Sequence, residues 1–177
     1  MADKERAKLI LTEILRLFGG QVPSKSHLFK AFYFAHLYYA KEAPDYLSDW
    51  AIVRMPLGPG IDRADELIHD LVSEGMVEVQ RVQVGPYQPF QFRLLKNERP
   101  AQLSLEAIEA IRRAVEFTKD KTASELTELT HEYSHSWSEA RDGEELNIYV
   151  DLLSEGDYQR ESQAAAKLAD AIKDMWE

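Results

Sequence analysis

A chain of 177 residues is long enough to bury one hydrophobic core and short for two, so a single domain spanning residues 1–177 is expected. The absence of cysteine excludes disulfides, thiolate metal sites and thiol nucleophiles, and suits a reducing cytoplasm. The net charge of −10 is lopsided, with 13 basic and 13 acidic side chains in residues 1–100 against 8 and 18 in residues 101–177, and an acidic surface repels phosphate backbones, so nucleic acid is not the expected partner.

The opening MADKERAKLI alternates charges and lacks the basic-then-apolar pattern of a secretory signal. The longest apolar run, Ala31 to Ala40, falls far short of the roughly 20 residues a bilayer span needs, so no membrane partner is expected and the location read from the sequence is cytoplasmic.

In chain order, Leu11, Ile14, Leu15 and Phe18 recur at helical spacing and Gly19-Gly20 stops a first helix over 3–18. Ser24 offers an N-cap for a second helix over 25–40, apolar or aromatic around nearly its whole circumference, which predicts the central buried helix. Pro44 ends it. Trp50 to Val53 reads as a short strand before a Pro56-Leu57-Gly58-Pro59-Gly60 loop, and residues 62–74 as a third helix with Asp65, Glu66 and Asp70 exposed. Val77–Val84 and Phe90–Leu94 predict a hairpin, with a bulge where the apolar phase slips between Val79 and Val82.

Helix followed by hairpin has a winged-helix outline. The third helix lacks the basic and amide side chains that read base edges, so the outline is architecture rather than DNA binding. Further on, Ser104 caps a helix carrying Leu105, Ile108, Ile111, Ala114 and Val115, and Thr122 with Glu125 makes a capping box for the next. Asp142-Gly143 is a turn, and Leu146–Val150 reads as extended or as a helix start. The last helix, over 157–176, lines up Ala165, Leu168, Ala169, Ile172, Met175 and Trp176 in one stripe, expected to pack on the chain's own core. The fold class is α+β, mainly α-helical, with a small antiparallel hairpin.

The stretch from Thr122 to Gly143 supports two chemistries. On one helix, His131 and His135 lie a turn apart and suit one zinc ion, with Glu132 as general base and Glu155 as third ligand; that is a zinc-dependent hydrolase. Against it, Ser134 and Ser136 are mediocre helix formers, which predicts a helix ending near His131. His36, set in an aromatic helix, reads as a hydrogen-bonded core residue. No G-x-S-x-G, P-loop or G-x-G-x-x-G pattern occurs.

The other reading rests on four blocks in order: KSHLFKAFYFAHLYY (Lys25 to Tyr39), Trp50-Ala51 with Gly58-Pro59, LVSEGMVEV (Leu71 to Val79), and ASELTELTHEYSHSWSEARDGEEL (Ala123 to Leu146). Together they resemble the Panacea domain family of bacterial and phage proteins, which includes SocA-type antitoxins, over about Leu9 to Leu153. Gly60-Ile61 stands where that family has valine after Gly-Pro, and Pro56 precedes the pair, so a reshaped loop is expected.

The resemblance implies a non-catalytic module, without cofactor, that neutralises a cognate protein toxin directly or as an adaptor delivering it to a protease. The acidic half suits a toxin with a basic surface. The resemblance marks Trp50, Gly58, Pro59, His131, Trp137 and Gly143 as family positions or partner contacts, with His131 and Trp137 explained without a metal.

Overall fold

The computed structural model describes residues 3–98 and 101–176; of Trp176 it describes the backbone only, so that residue's place in the predicted stripe lies outside the described side chains. In chain order the elements are α1 (Asp3–Leu17), β1 (Gln21–Val22), α2 (Lys25–Glu42), β2 (Ile52–Met55), β3 (Gly58–Ile61), α3 (Ala64–Ser73), β4 (Val77–Arg81), β5 (Phe90–Leu94), α4 (Leu105–Lys119), α5 (Ala123–Tyr133), α6 (His135–Glu139), a 3-10 helix (Ile148–Leu152) and α7 (Glu155–Trp176). The architecture is α+β and mainly helical, as the sequence reading expects.

Helix α2 is the axis of the fold. Ser24 caps it by accepting a hydrogen bond from the His27 amide at 3.1 Å, and the Ala43 amide closes its far end on Tyr39 O, just before Pro44. Its residues pack against α1, α4, α5, β3 and the 3-10 helix, which is why nearly its whole circumference is apolar. His36 is fully buried with Nδ1 2.7 Å from Phe32 O and Nε2 2.6 Å from Ser48 Oγ, and burial pushes its pKa down to about 4. It is a neutral, hydrogen-bonded core residue.

Strands β4 and β5 form the predicted hairpin, and β1, too short to be read from sequence, adds on the far side of β5 in an antiparallel β1-β5-β4 sheet. The predicted bulge is absent. Pairing runs unbroken from Val77 opposite Leu94 to Arg81 opposite Phe90, and the apolar phase slips because Val82 and Val84 lie beyond the strand end, where the hairpin tip is exposed. Acidic residues of α3 and its C-cap are matched by lysines: Lys4 contacts Glu66 at 2.8 Å and Asp70 at 2.7 Å, and Lys8 pairs with the C-cap Glu74.

Two further expectations are corrected. The Gly58-Pro59-Gly60 segment is a strand rather than a loop; the turn is confined to Pro56-Leu57, and β3 pairs antiparallel with β2 from Met55 opposite Gly58 to Ile52 opposite Ile61. The stripe on α7 does not pack on the core: Leu168 is 62% exposed, Ile172 47% and Met175 82%. Periodicity identified an apolar face without identifying what it faces. None of the helices among the described residues is long and apolar enough to cross a membrane.

Candidate functional site

The β2–β3 hairpin projects its turn against the junction of α5 and α6, and most of the residues singled out in the sequence meet there. The junction is made by Ser134. Its amide still closes α5 on Thr130 O, while its hydroxyl accepts from the Trp137 amide at 3.2 Å and so starts α6. With φ −88° and ψ 101° at this residue the helix is interrupted, so His131 ends one helix and His135 begins another.

Asp151 of the 3-10 helix fixes the break from outside. Its carboxylate accepts from Tyr33 Oη (2.6 Å), Ser134 Oγ (2.7 Å), Ser136 Oγ (2.8 Å) and the Ser136 amide (2.8 Å). Burial and the adjacent carboxylate both push the Tyr33 phenol's pKa up, so it stays a donor. Neutral donors thus hold one carboxylate and join α2, α5, α6 and the 3-10 helix.

Across the junction, Trp137 Nε1 donates to Met55 O at 2.7 Å, and His131 Nε2 lies 3.1 Å from Pro56 O, an acceptor only, so this nitrogen carries the proton. The His131 ring stacks on Trp137 with centroids 3.9 Å apart and planes at 13°. Arg54 places its guanidinium 4.1 Å from the same indole, donates from Nε to Trp137 O at 3.0 Å and pairs with Asp142. Gly143 completes this side: its amide donates to Arg54 O at 2.8 Å, the Arg54 amide donates to Glu144 O at 2.9 Å, and the Leu146 amide donates to Ile52 O at 2.8 Å. The run from Gly143 to Leu146 therefore covers the outer edge of β2.

On the buried side, Gly58 has φ +115°, and a Cβ there would lie 2.5 Å from Thr130 Oγ1 and 2.9 Å from Lys30 Cε. Lys30 is 2% exposed, donates from Nζ to Pro59 O at 3.3 Å, and has no carboxylate partner among the described residues. Burial lowers its pKa to about 8. The Gly-Pro pair thus lies directly on a buried amine.

Five of the six marked positions, Gly58, Pro59, His131, Trp137 and Gly143, belong to this one clamp. Trp50 sits apart, at the open end of the hairpin, where its Nε1 donates to Asp62 O at 2.7 Å and Arg63 lies 4.4 Å from its ring. Sequence reasoning missed Lys30, Arg54 and Asp151. Lys30 carried a signal, as the single lysine or arginine between Lys25 and Lys41 in an otherwise apolar helix. Asp151, in a segment without clear periodicity, carried none.

The three proposed zinc ligands are not gathered. His131 is committed to Pro56 and Trp137, whereas His135 Nε2 lies 2.9 Å from Glu155 Oε2 and its ring stacks on Tyr158 at 3.8 Å. Among the described residues no three histidine or carboxylate groups are placed to hold one ion. Elemental analysis of untagged protein purified without chelator is expected to show no stoichiometric zinc; one zinc per chain, lost in His135→Ala, would contradict this geometry.

A family model for the antitoxin SocA-like Panacea domain matches residues 28–138, an interval narrower than the resemblance read from sequence but including Lys30, Arg54, Gly58, Pro59, His131 and Trp137. Comparison with curated proteins and with solved structures gives no match. Matched over more than half of its length, the chain belongs to the SocA-like, Panacea domain family of antitoxins.

Proposed function

We propose that this protein is an antitoxin that binds a protein toxin with a basic surface in the cytoplasm and holds it inactive, acting as one non-catalytic domain. Family membership carries the reading. The excess of 18 acidic over 8 basic residues in the second part of the chain supports a basic partner, because complementary charge speeds encounter and disfavours wrong partners.

The clamp is the proposed contact region. Its inner face is spent on hydrogen bonds and stacking, while the hairpin tip and the end of α5 present Leu57, 59% exposed, and Tyr133, 65% exposed. An exposed aliphatic and an exposed aromatic side chain beside a braced hairpin suit an anchor at an interface. Capture of the cognate toxin, measured with purified proteins, is expected to weaken at least about tenfold in Leu57→Arg with the melting temperature retained. Unchanged affinity would remove the hairpin tip from the interface.

A further inference from the structure

We propose that the cleft between the α2–β2 connection and the segment leading into the 3-10 helix receives a cationic side chain, arginine or lysine, of the protein partner. The cleft has a volume of about 570 Å³, and lies at the open end of the β2–β3 hairpin, away from the clamp. Tyr46, Asp49 and Trp50 from the α2–β2 connection line it together with Glu145 and Tyr149, and the buried His36 also contributes to its lining.

The lining suits a cation in shape and charge. The rings of Tyr46 and Tyr149 lie 4.5 Å apart with planes at 35°, forming an aromatic wall whose π faces attract positive charge. Asp49 and Glu145 are exposed, and neither forms an ion pair with another described residue. No lysine or arginine lines the cleft, and His36 is held neutral by burial with both ring nitrogens already bonded. Arg6, whose charge acts on His36, is occupied in donating to Leu47 O at 2.7 Å, and Arg63 is engaged over the Trp50 ring at 4.4 Å.

Several aromatic faces carry the chain's own cations, one of them at the edge of this cleft, where Arg63 lies over Trp50. Arg54 lies over Trp137 and Arg113 over Tyr38, at 4.1 and 4.6 Å. Tyr46 and Tyr149 receive no such cation among the described residues. The Tyr149 phenol is pushed up to about 12, first by burial and then by Tyr46 and Asp49, so the pocket disfavours adding a negative charge. An aromatic pair beside two carboxylates that form no ion pair with another described residue is complementary to a guanidinium or ammonium from outside.

Naming a protein as the source of that cation rests on the antitoxin reading. The test is an NMR titration of the full chain at physiological salt with the peptide acetyl-Gly-Ser-Arg-Ser-Gly-amide, with its citrulline counterpart, and with tetramethylammonium. The arginine peptide is expected to shift amides at residues 46–52 and 145–149 and to bind about tenfold more weakly to Asp49→Asn/Glu145→Gln and to Tyr46→Ala, all at exposed side chains.

The citrulline peptide, equal in shape but uncharged, is expected not to bind. Equal binding of the citrulline peptide, unchanged affinity in the variants or shifts elsewhere on the surface would overturn the proposal. Tetramethylammonium binding more tightly than the peptide would replace a partner's side chain by a small ammonium ligand, and so also overturn it. Toxin rescue without peptide binding would sink this proposal alone; peptide binding without rescue would sink the antitoxin reading alone.

Discussion

Gly58→Ala is expected to destabilise the protein by about 3 kcal/mol or more, seen as a melting midpoint lowered by roughly 10 °C. Two costs combine. The backbone at φ +115° is one that L side chains rarely adopt, and the new methyl would lie 2.5 Å from Thr130 Oγ1, against a buried Lys30 that has little room to retreat. Moving the Thr130 hydroxyl would cost its bonds to Leu126 O and Thr127 O, both 3.1 Å.

Gly143→Ala is the control. Its φ is +80°, but nothing lies within 4 Å of a Cβ there, so only the backbone term remains, about 1 kcal/mol. Equal losses in the two variants would mean that the close approach of the hairpin to α2 and α5 contributes nothing.

Lys30→Met is expected to act in the opposite direction, stabilising the protein at pH 7 by about 2 kcal/mol. The unfolded chain holds this proton up to the ordinary value of 10.5, whereas the folded chain gives it up at about 8. The unfolded state therefore binds more protons between these values, and stability rises with pH across that window; below about 8 the penalty of burying the charge is present in full. That penalty is worth about 3 kcal/mol, and losing the donor to Pro59 O returns about 1 of it. Chemical denaturation of both proteins from pH 7 to 10 measures this: the difference between them should shrink as pH rises. A difference independent of pH would show that the amine is not buried as a cation, and a destabilised variant would show that its bond to Pro59 outweighs its desolvation.

The helices were legible because their signals are local. Ser24, Ser104 and Thr122 stand at the caps they were assigned, the last with its complete capping box, and the aromatic density of α2 marked it as the axis. The clamp was half legible. Glycine, proline, histidine and tryptophan are conspicuous residues, but what joins them is the strand pairing of β2 with β3, and a segment reading Gly-Pro-Gly has the local chemistry of a loop. Tertiary contact with α2 and α5 makes it a strand all the same.

His131 and His135 show the limit of spacing arguments in the other direction. Four residues apart on a continuous helix they would share a face, yet the serine between them is a better cap than helix former, and Asp151, too distant in sequence to be foreseen, fixes the break. The exposed stripe of α7 was legible as amphipathic, but burial against the core depends on where the chain turns after Leu153, which no local pattern specifies.

The proposed function is the silencing of a toxin by holding it. Co-expressing the chain with its cognate toxin and following both growth and the amount of full-length toxin tests this. Restored growth with the toxin persisting in a complex with this chain is the predicted result. Failure to restore growth while the chain is abundant and folded would contradict it, and restored growth with the toxin degraded, lost again in protease-deficient cells, would replace holding by delivery to a protease.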